Sequence, residues 1–487
     1  MKLVIAEKPS VAMALAQVLG ARSRKDGYVE GNGFIVSWCV GHLVGLCDAA
    51  EYDEKYRKWR YEDLPIVPEC WKHKVLEGTK KQFGVLKKLM NDSNVDEVIC
   101  ATDAGREGEL IFRLVYEQAG CKKPMKRLWI SSMEEQAIKE GFASLKDGSC
   151  YDSLYQSALC RAKADWLVGI NASRLFSVLY NQNLKVGRVQ TPTLAMIVDR
   201  NQKIQEFQKE KYYVAHIRFD EMDAVTGHFQ KREDAEKVAA DCSERMCEVE
   251  KDEVKEKTVR PPKLYDLTTL QREANRMFGY TAQQTLDAVQ EMYEQKLVTY
   301  PRTDSQYLTD EMGESTKALI QMLTGKLPFA KAMKIQPDVK KVLNSKKVSD
   351  HHAIIPTMEV KKADLDALKE RNRKILYLIS ARLLTATADS YIYESHKCQI
   401  TCNYHTFYLS ARKTKQEGFR TIEKQLKQFF GIKTETEEAE LDIWEGKHYG
   451  PCDSFVTEHD TQPPKQYTDV IFCERKEWIG IEERSSA

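Results

Sequence analysis

The chain opens on a short apolar run, "KLVIA" at residues 2 to 6, and "SVAMALAQVLG" after it spaces its apolar positions at the helical period. Ser10 near the start and Gly20 at the end supply helix start and stop signals. A second unit of this kind pairs a strand near 97 to 102, around the apolar run "VIC", with "LIFRLVYEQAG", and a third pairs "KRLWISS" with "MEEQAIKEGFASL". Strands alternating with helices over about the first 145 residues predict a parallel sheet covered by helices. Ligands gather at the carboxyl ends of strands in such sheets, and Glu7 and Asp103 fall at two such ends. Further on, "SLYQSALCRAKADWLVGINASRLFSVLY" reads as a long helix in which Arg161 and Asp165, four apart, share a face. The stretch "KVGRVQTPTLAMIVDRNQKIQEF" begins with a glycine turn and continues as another helix. "YYVAHIRFD" and "SYIYESHKCQITCNYHTFYLSARK" are rich in β-branched and aromatic residues and read as strands. Between them lies a mainly helical block reaching about residue 387, so the simplest organisation is a β region interrupted by a helical insertion. An acidic run near 435 to 445 reads as solvated.

At 487 residues the chain calls for about three domains. Hydrophobic residues make up 42% and charged residues 30%, and no apolar run approaches the roughly 18 residues of a membrane span. The first residues lack the apolar stretch and cleavage site of a secretory signal, so the expectation is a cytoplasmic protein without a membrane partner. Thirteen cysteines form no CxxC pair and read as reduced structural thiols. The net charge is +1, so binding to a polyanion would come from local patches. One modest patch runs from Arg161 to Glu210, with eight Lys or Arg against four Asp or Glu.

The carboxylates of "ATDAGREGE", residues 101 to 109, stand where a strand hands over to a helix. Asp103, Glu107 and Glu109 around Arg106 fit either a solvated first helical turn or a metal or phosphate site. In "LVTYPRTDS", Pro301 restricts Tyr300 to an extended conformation, and Arg302 lies two residues on, where an extended chain points side chains the same way. A phenol with a reference pKa near 10 needs a nearby cation or base to act as a nucleophile, and Arg302 fits that need; an ordinary turn is the alternative. "SDHHAIIPT" offers two adjacent histidines, of which one faces a given site, with a structural role as the default. Glu7 and Lys8 in "AEKPS" precede a helix N-terminus, suited to a phosphate or to a plain cap. "YRKWRYEDLP" interleaves basic and aromatic residues, a pattern that stacks on bases and holds phosphates.

The order "AEKPS", "ATDAGREGE", "RAKADWLVGINASR", "VGRVQTPT", "PPKLYDLTTLQREA", "LVTYPRTDS", "HHAIIPT" and "TQPPKQYTD" resembles type IA DNA topoisomerases of the topoisomerase III branch, along nearly the whole chain to about residue 469. The resemblance implies a multidomain α/β plus α and β protein, with a Rossmann-like Toprim domain at 1–147 and a toroidal core. It implies a domain IV from 148–209 and 460–487, a β-rich domain II from 210–258 and 388–459, and a helical domain III at 259–387 carrying the catalytic tyrosine. It further implies that Tyr300 attacks a phosphodiester of single-stranded or negatively supercoiled DNA to form a 5′-phosphotyrosine link. A strand then passes through the gap, and religation follows without ATP. Glu7 would serve as general acid and base at the 3′ oxygen, Lys8 and Arg302 would stabilise phosphate charge, and His351 would support cleavage. Mg2+ would be held by Glu7, Asp103 and Glu107, and Trp59, Arg161, Arg174, Arg188 and Gln190 would line a single-strand groove.

Two departures stand out. Family members commonly carry Asp-x-Asp-x-Glu, whereas Gly105 stands at the middle position here, which implies a weaker metal site. After "TQPPKQYTD" the chain reads "VIFCERKEWIGIEERSSA", an ending that resembles a truncation or shifted reading frame and would leave the second segment of domain IV incomplete, with apolar surface uncovered. The competing readings are therefore a truncated remnant that binds single-stranded DNA and, from the first domain alone, a metal-dependent nuclease or primase. No particular protein partner is implied.

Overall fold

The computed structural model describes residues 1–330, 336–348, 350–433 and 443–468. The expected solvated acidic run lies mostly outside these residues, as does the tail from 469. At the N-terminus a seven-stranded sheet has the strand Lys2–Ala6 at its centre, paired in parallel with Phe34–Trp38 on one side and Glu97–Ala101 on the other. Met125–Arg127 continues the parallel order, and antiparallel strands close both edges. The parallel prediction therefore holds for the middle of the sheet and not for its rims. All four central residues Leu3, Val4, Ile5 and Ala6 are fully buried, as expected for a strand covered on both faces.

Helices Lys80–Met90 and Arg106–Gln118, with the start of the long helix Asp152–Tyr180, cover one face through Leu86, Met90, Phe112, Val115, Tyr155 and Leu159. Helix Pro9–Leu19 covers the other, ending on Gly20 at φ 77°, the left-handed stop that glycine adopts without a Cβ clash. Here the apolar cluster does not stop at the sheet. Val11, Leu15, Leu128, Met133 and Ile138 belong to the same continuous core as Leu270, Val289, Tyr293, Val298, Tyr300 and Ile354 of the helical block, whose long helices include Leu267–Phe278, Ala282–Glu294, Gly313–Lys326 and Glu370–Ala386. The N-terminal sheet and the helical block are thus packed against each other along one seam.

A second seven-stranded sheet joins Lys211–Phe219, Met222–Val225 and Cys247–Val259 with Tyr391–Cys402, His405–Gln416, His448–Tyr449 and Asp453–Asp460. Its neighbouring strands come from both sides of the helical block, so the β region is interrupted in the chain but continuous in space. Asp453–Asp460 runs antiparallel to Lys211–Phe219 over eight paired positions. The described cysteines are free, and Cys242, Cys247, Cys402 and Cys452 are buried inside this domain.

Helices Asp152–Tyr180 and Gln190–Gln205 are different in kind. The second buries none of its residues, and the pair exposes Val168, Phe176, Leu179, Tyr180, Leu194, Ile197 and Val198. Several apolar side chains on these two helices are thus exposed in the described structure. Among the described residues no helix is long and apolar enough to cross a membrane.

Candidate active site

Parallel register places the two acids together. Ala6 pairs with Ala101, so the residues that follow them leave the sheet at the same edge. The Asp103 backbone N–H donates to Glu7 Oε2 at 3.2 Å. Both carboxylates are buried, and Asp103 Oδ2 has no hydrogen-bond partner. Burial, reinforced by the charge of Asp103, pushes Glu7 from its usual 4.5 up to about 7, with Arg302 and Lys8 opposing. Asp103 is raised by burial too, opposed by Lys8, Arg302 and the Tyr300 phenol.

The turn that presents Asp103 is held from behind. Arg127, fully buried, pairs with Glu109 at 3.0 Å and donates to the carbonyls of Thr102 and Asp103, each at 2.7 Å. Glu109 also accepts from Arg113 at 2.8 Å. Of the three carboxylates in "ATDAGREGE", Glu109 is therefore structural. Gly108 allows the new helix to start tight against this turn, because a Cβ there would lie 2.1 Å from the Asp103 carbonyl oxygen. Gly105 has open space where a side chain would stand.

Tyr300 reaches this pocket from the helical block. Its N–H donates to the Ser131 carbonyl at 3.0 Å, across the seam. Its ring packs on Tyr293, with centroids 5.4 Å apart at 75°, and on His351, at 4.3 Å and 38°. The ring is 6% exposed. Burial, then the negative charges of Asp103 and Glu7, raise its phenol well above the usual range, and Arg302 opposes them. Arg302 Nε is itself buried without a hydrogen-bond partner. The tyrosine thus lies in an apolar seam, but beside the acids and with a guanidinium at hand.

His351 locks the seam from the same side. Its Nε2 donates to the Ala104 carbonyl, which leaves Nδ1 to accept from the Ser131 hydroxyl at 2.8 Å. Burial pushes it down to about 4, so the ring is neutral at pH 7. With both nitrogens engaged, it braces the Tyr300 ring. The Trp129 indole stacks on Tyr151 at 5.0 Å and donates to the Asp350 carbonyl at 3.2 Å.

Lys8 sits at the rim, 3.3 Å from Glu294 Oε1, and its charge bears on both Glu7 and Asp103. The structure therefore brings together Tyr300, Glu7, Asp103, Arg302, Lys8 and His351. Glu107 is apart from this set, its carboxylate meeting His42 Nε2 at 2.5 Å. Among the described residues no group of three or more His, Cys, Asp or Glu side chains is arranged to hold a metal ion. What fits a hard cation is the pair Glu7 and Asp103: oxygen donors packed side by side, one oxygen orphaned and both carboxyls raised.

The expected groove residues lie on the long helix and the turn after it. Arg188 pairs with Asp165 at 2.7 Å, and Arg161 stands 4.0 Å from the same carboxylate. Burial and the neighbouring Arg188 and Arg106 lower Arg161, which marks three arginines converging beside the start of helix Arg106–Gln118. Gln190 is exposed at the first turn of its helix. Arg174 is buried, donates to the Tyr56 carbonyl at 2.8 Å and lies 5.3 Å from the Trp59 ring, so it holds the segment that presents Trp59, 44% exposed, to solvent. Sequence reasoning missed Ser131, Ala104, Arg127, Tyr293 and Glu294; each acts through a contact with a residue distant in the chain, and no local pattern marks it.

Glu7 gives a test of this electrostatic arrangement that does not depend on activity. Its folded value near 7 exceeds its unfolded value near 4.5, so the folded state binds the proton more tightly and stability falls as pH rises between them. Glu7→Gln removes that loss. Its urea midpoint is expected to exceed that of the unaltered chain by more at pH 8 than at pH 5, and an equal gap at both pH values would refute the assignment.

Residues 2–133 match the Toprim domain and residues 149–474 match the DNA topoisomerase family. Three proteins named DNA topoisomerase 3 are similar along the chain. That of Shouchella clausii is 44% identical over 79% of this chain and 54% of its own length, that of Staphylococcus haemolyticus 38% identical over 100% and 68%, and that of Bacillus subtilis 41% identical over 86% and 59%. The fold is similar to that of the full-length topoisomerase I of Thermotoga maritima, with a TM-score of 0.75 and 24% identity, covering 99% of this chain and 76% of that one. The chain belongs to the DNA topoisomerase family and carries a Toprim domain. It spans between about half and two thirds of the length of these relatives.

Proposed function

We propose that the chain is a topoisomerase III-like isomerase that cuts one strand of DNA through Tyr300, passes another strand through the gap and reseals the first without ATP, thereby relaxing negative supercoils or decatenating DNA. The observation that carries this reading is the position of the Tyr300 phenol, beside Arg302 and the Glu7–Asp103 pair, at a seam between two parts of the protein. In the cutting step the phenol gives up its proton to the adjacent carboxylate pair, and its oxygen forms a bond to phosphorus. The bond from phosphorus to the 3′ oxygen breaks, and that oxygen takes a proton from Glu7, which at about pH 7 both donates and accepts. Arg302 and Lys8 neutralise phosphate charge, and His351 braces the attacking ring. Resealing is the reverse, and because the phosphotyrosine keeps a phosphodiester bond, no outside energy is required.

Glu7 and Asp103 are the proposed ligands of Mg2+, which supplies charge neutralisation beside the phosphate. Glu107, expected as a third ligand, is engaged with His42. Arg161, Arg188 and Gln190, with Trp59 steadied by Arg174, form the proposed track for a single strand, with stacking on the indole and ionic contact to phosphates. The proposed division of the chain is a Toprim domain at 1–147, domain III at 259–387, a domain II from 210–258 and 388–459, and a domain IV from 148–209 and 460–487. The proposed setting is the cytoplasm.

The test is incubation with an end-labelled single-stranded oligonucleotide and Mg2+, followed by denaturation. A label that stays with the protein supports cleavage through a covalent intermediate. Binding without any such adduct supports the alternative of a single-strand-binding remnant.

A further inference from the structure

Glu294 has no part in the chemistry above, yet it touches the site. It closes helix Ala282–Glu294 of the helical block and reaches across the seam to the first turn of helix Pro9–Leu19. Its Oε1 lies 3.3 Å from Lys8 Nζ and its Oε2 accepts from the Ser10 hydroxyl at 3.0 Å. Gln290 Nε2, one turn back, donates to Oε1 at 3.1 Å and fixes the carboxylate in place. Both partners of the ion pair are roughly one-third exposed or less, so the pair is only partly screened.

A carboxylate and a phosphodiester are both oxyanions, and an ammonium, a serine hydroxyl and a helix start are what each would choose. The groups that Glu294 occupies are those a DNA phosphate would occupy. We infer that Glu294 is a positioning residue that holds Lys8 at the mouth of the site in the absence of DNA and is displaced from it by the phosphate of the bound strand. The exchange couples two events. While Glu294 holds Lys8, it is one of the ties between the helical block and the N-terminal sheet; when the phosphate takes Lys8, that tie is released, which lowers the cost of moving the block carrying Tyr300 away once the strand is cut. The inference rests on the proposed role of Lys8 as a phosphate ligand.

The measurement is the affinity of the full chain for a fluorescein-labelled single-stranded oligonucleotide, read by anisotropy in a Tyr300→Phe background so that no cutting intervenes. Glu294→Gln removes the competing charge and is expected to tighten binding about two- to five-fold, the range of a partly exposed ion pair. Glu291→Gln is the control: it lies on the same helix but pairs with Lys369 and Asn372, so it reports the general effect of losing one negative charge. With Lys8→Met added, the advantage of Glu294→Gln over Glu291→Gln is expected to vanish, a dependence that a merely structural role would not produce. Equal or weaker binding by Glu294→Gln relative to Glu291→Gln, or an advantage that persists without Lys8, overturns the inference. If Tyr300 forms an adduct and either result is found, the inference falls while the cleavage reading stands; if no adduct forms but the Lys8-dependent advantage is found, the cleavage reading falls while the exchange at Lys8 stands.

Discussion

A Tyr300→Phe chain is expected to bind single-stranded DNA about as well as the unaltered chain and to form no covalent adduct with it. The substitution keeps the ring that packs on Tyr293 and His351 and removes one oxygen, so folding and the seam are expected to survive. Tyr300 is the phenol on which the charges of Asp103, Glu7 and Arg302 all bear, and loss of an activated nucleophile costs about three orders of magnitude or more in rate. Gel analysis after denaturation checks it. Adduct formation by the phenylalanine variant at even a tenth of the usual yield would place the nucleophile elsewhere.

The second large effect is on stability. Arg127→Met is expected to destabilise the N-terminal domain by about 3–5 kcal/mol, the cost of leaving one partner of a buried ion pair alone. Arg127 is fully buried and donates to the carbonyls of Cys100, Thr102, Asp103 and Leu128 while pairing with Glu109. The methionine fills most of the volume but satisfies none of these oxygens. Because two of the carbonyls belong to the turn carrying Asp103, adduct formation is expected to fall with stability. Arg113→Met, which removes the less buried partner of the same Glu109, serves as the milder comparison. A urea midpoint for Arg127→Met no lower than that for Arg113→Met would show that this cluster does not hold the turn.

The legible part of this molecule was local. Helix Pro9–Leu19 was readable because its apolar period, Ser10 and Gly20 all lie within a dozen residues, and the strands at 2–6 and 97–101 because each carries four consecutive apolar residues after its first. From those two strands the meeting of Glu7 and Asp103 follows by parallel register. The hairpin at residues 28–38, which supplies the neighbour of the central strand, was not among the expectations. Its signal was present in Asn32-Gly33, both with positive φ, between two short runs rich in apolar residues.

Less of the site could be read. "ATDAGREGE" offered three acids of one type in seven positions, and nothing local told them apart. Asp103 faces Glu7, Glu107 faces His42 65 positions away, and Glu109 is buried under Arg127. Their roles were decided by partners supplied by other elements. The same holds for Arg174, whose basic character suggested contact with DNA and whose place is beneath Trp59. Lys8 and Glu294 stand 286 positions apart, and their ion pair exists because the helical block packs on the sheet.

The central claim is that the Tyr300 oxygen becomes bonded to a DNA phosphate. It is tested most directly by trapping the adduct on a single-stranded oligonucleotide, trimming the DNA with nuclease, digesting with trypsin and locating the added mass by fragmentation. The account predicts a nucleotide on Tyr300 within the peptide 297–302. A nucleotide on any other residue, or a nicked oligonucleotide with no modified peptide, would contradict it.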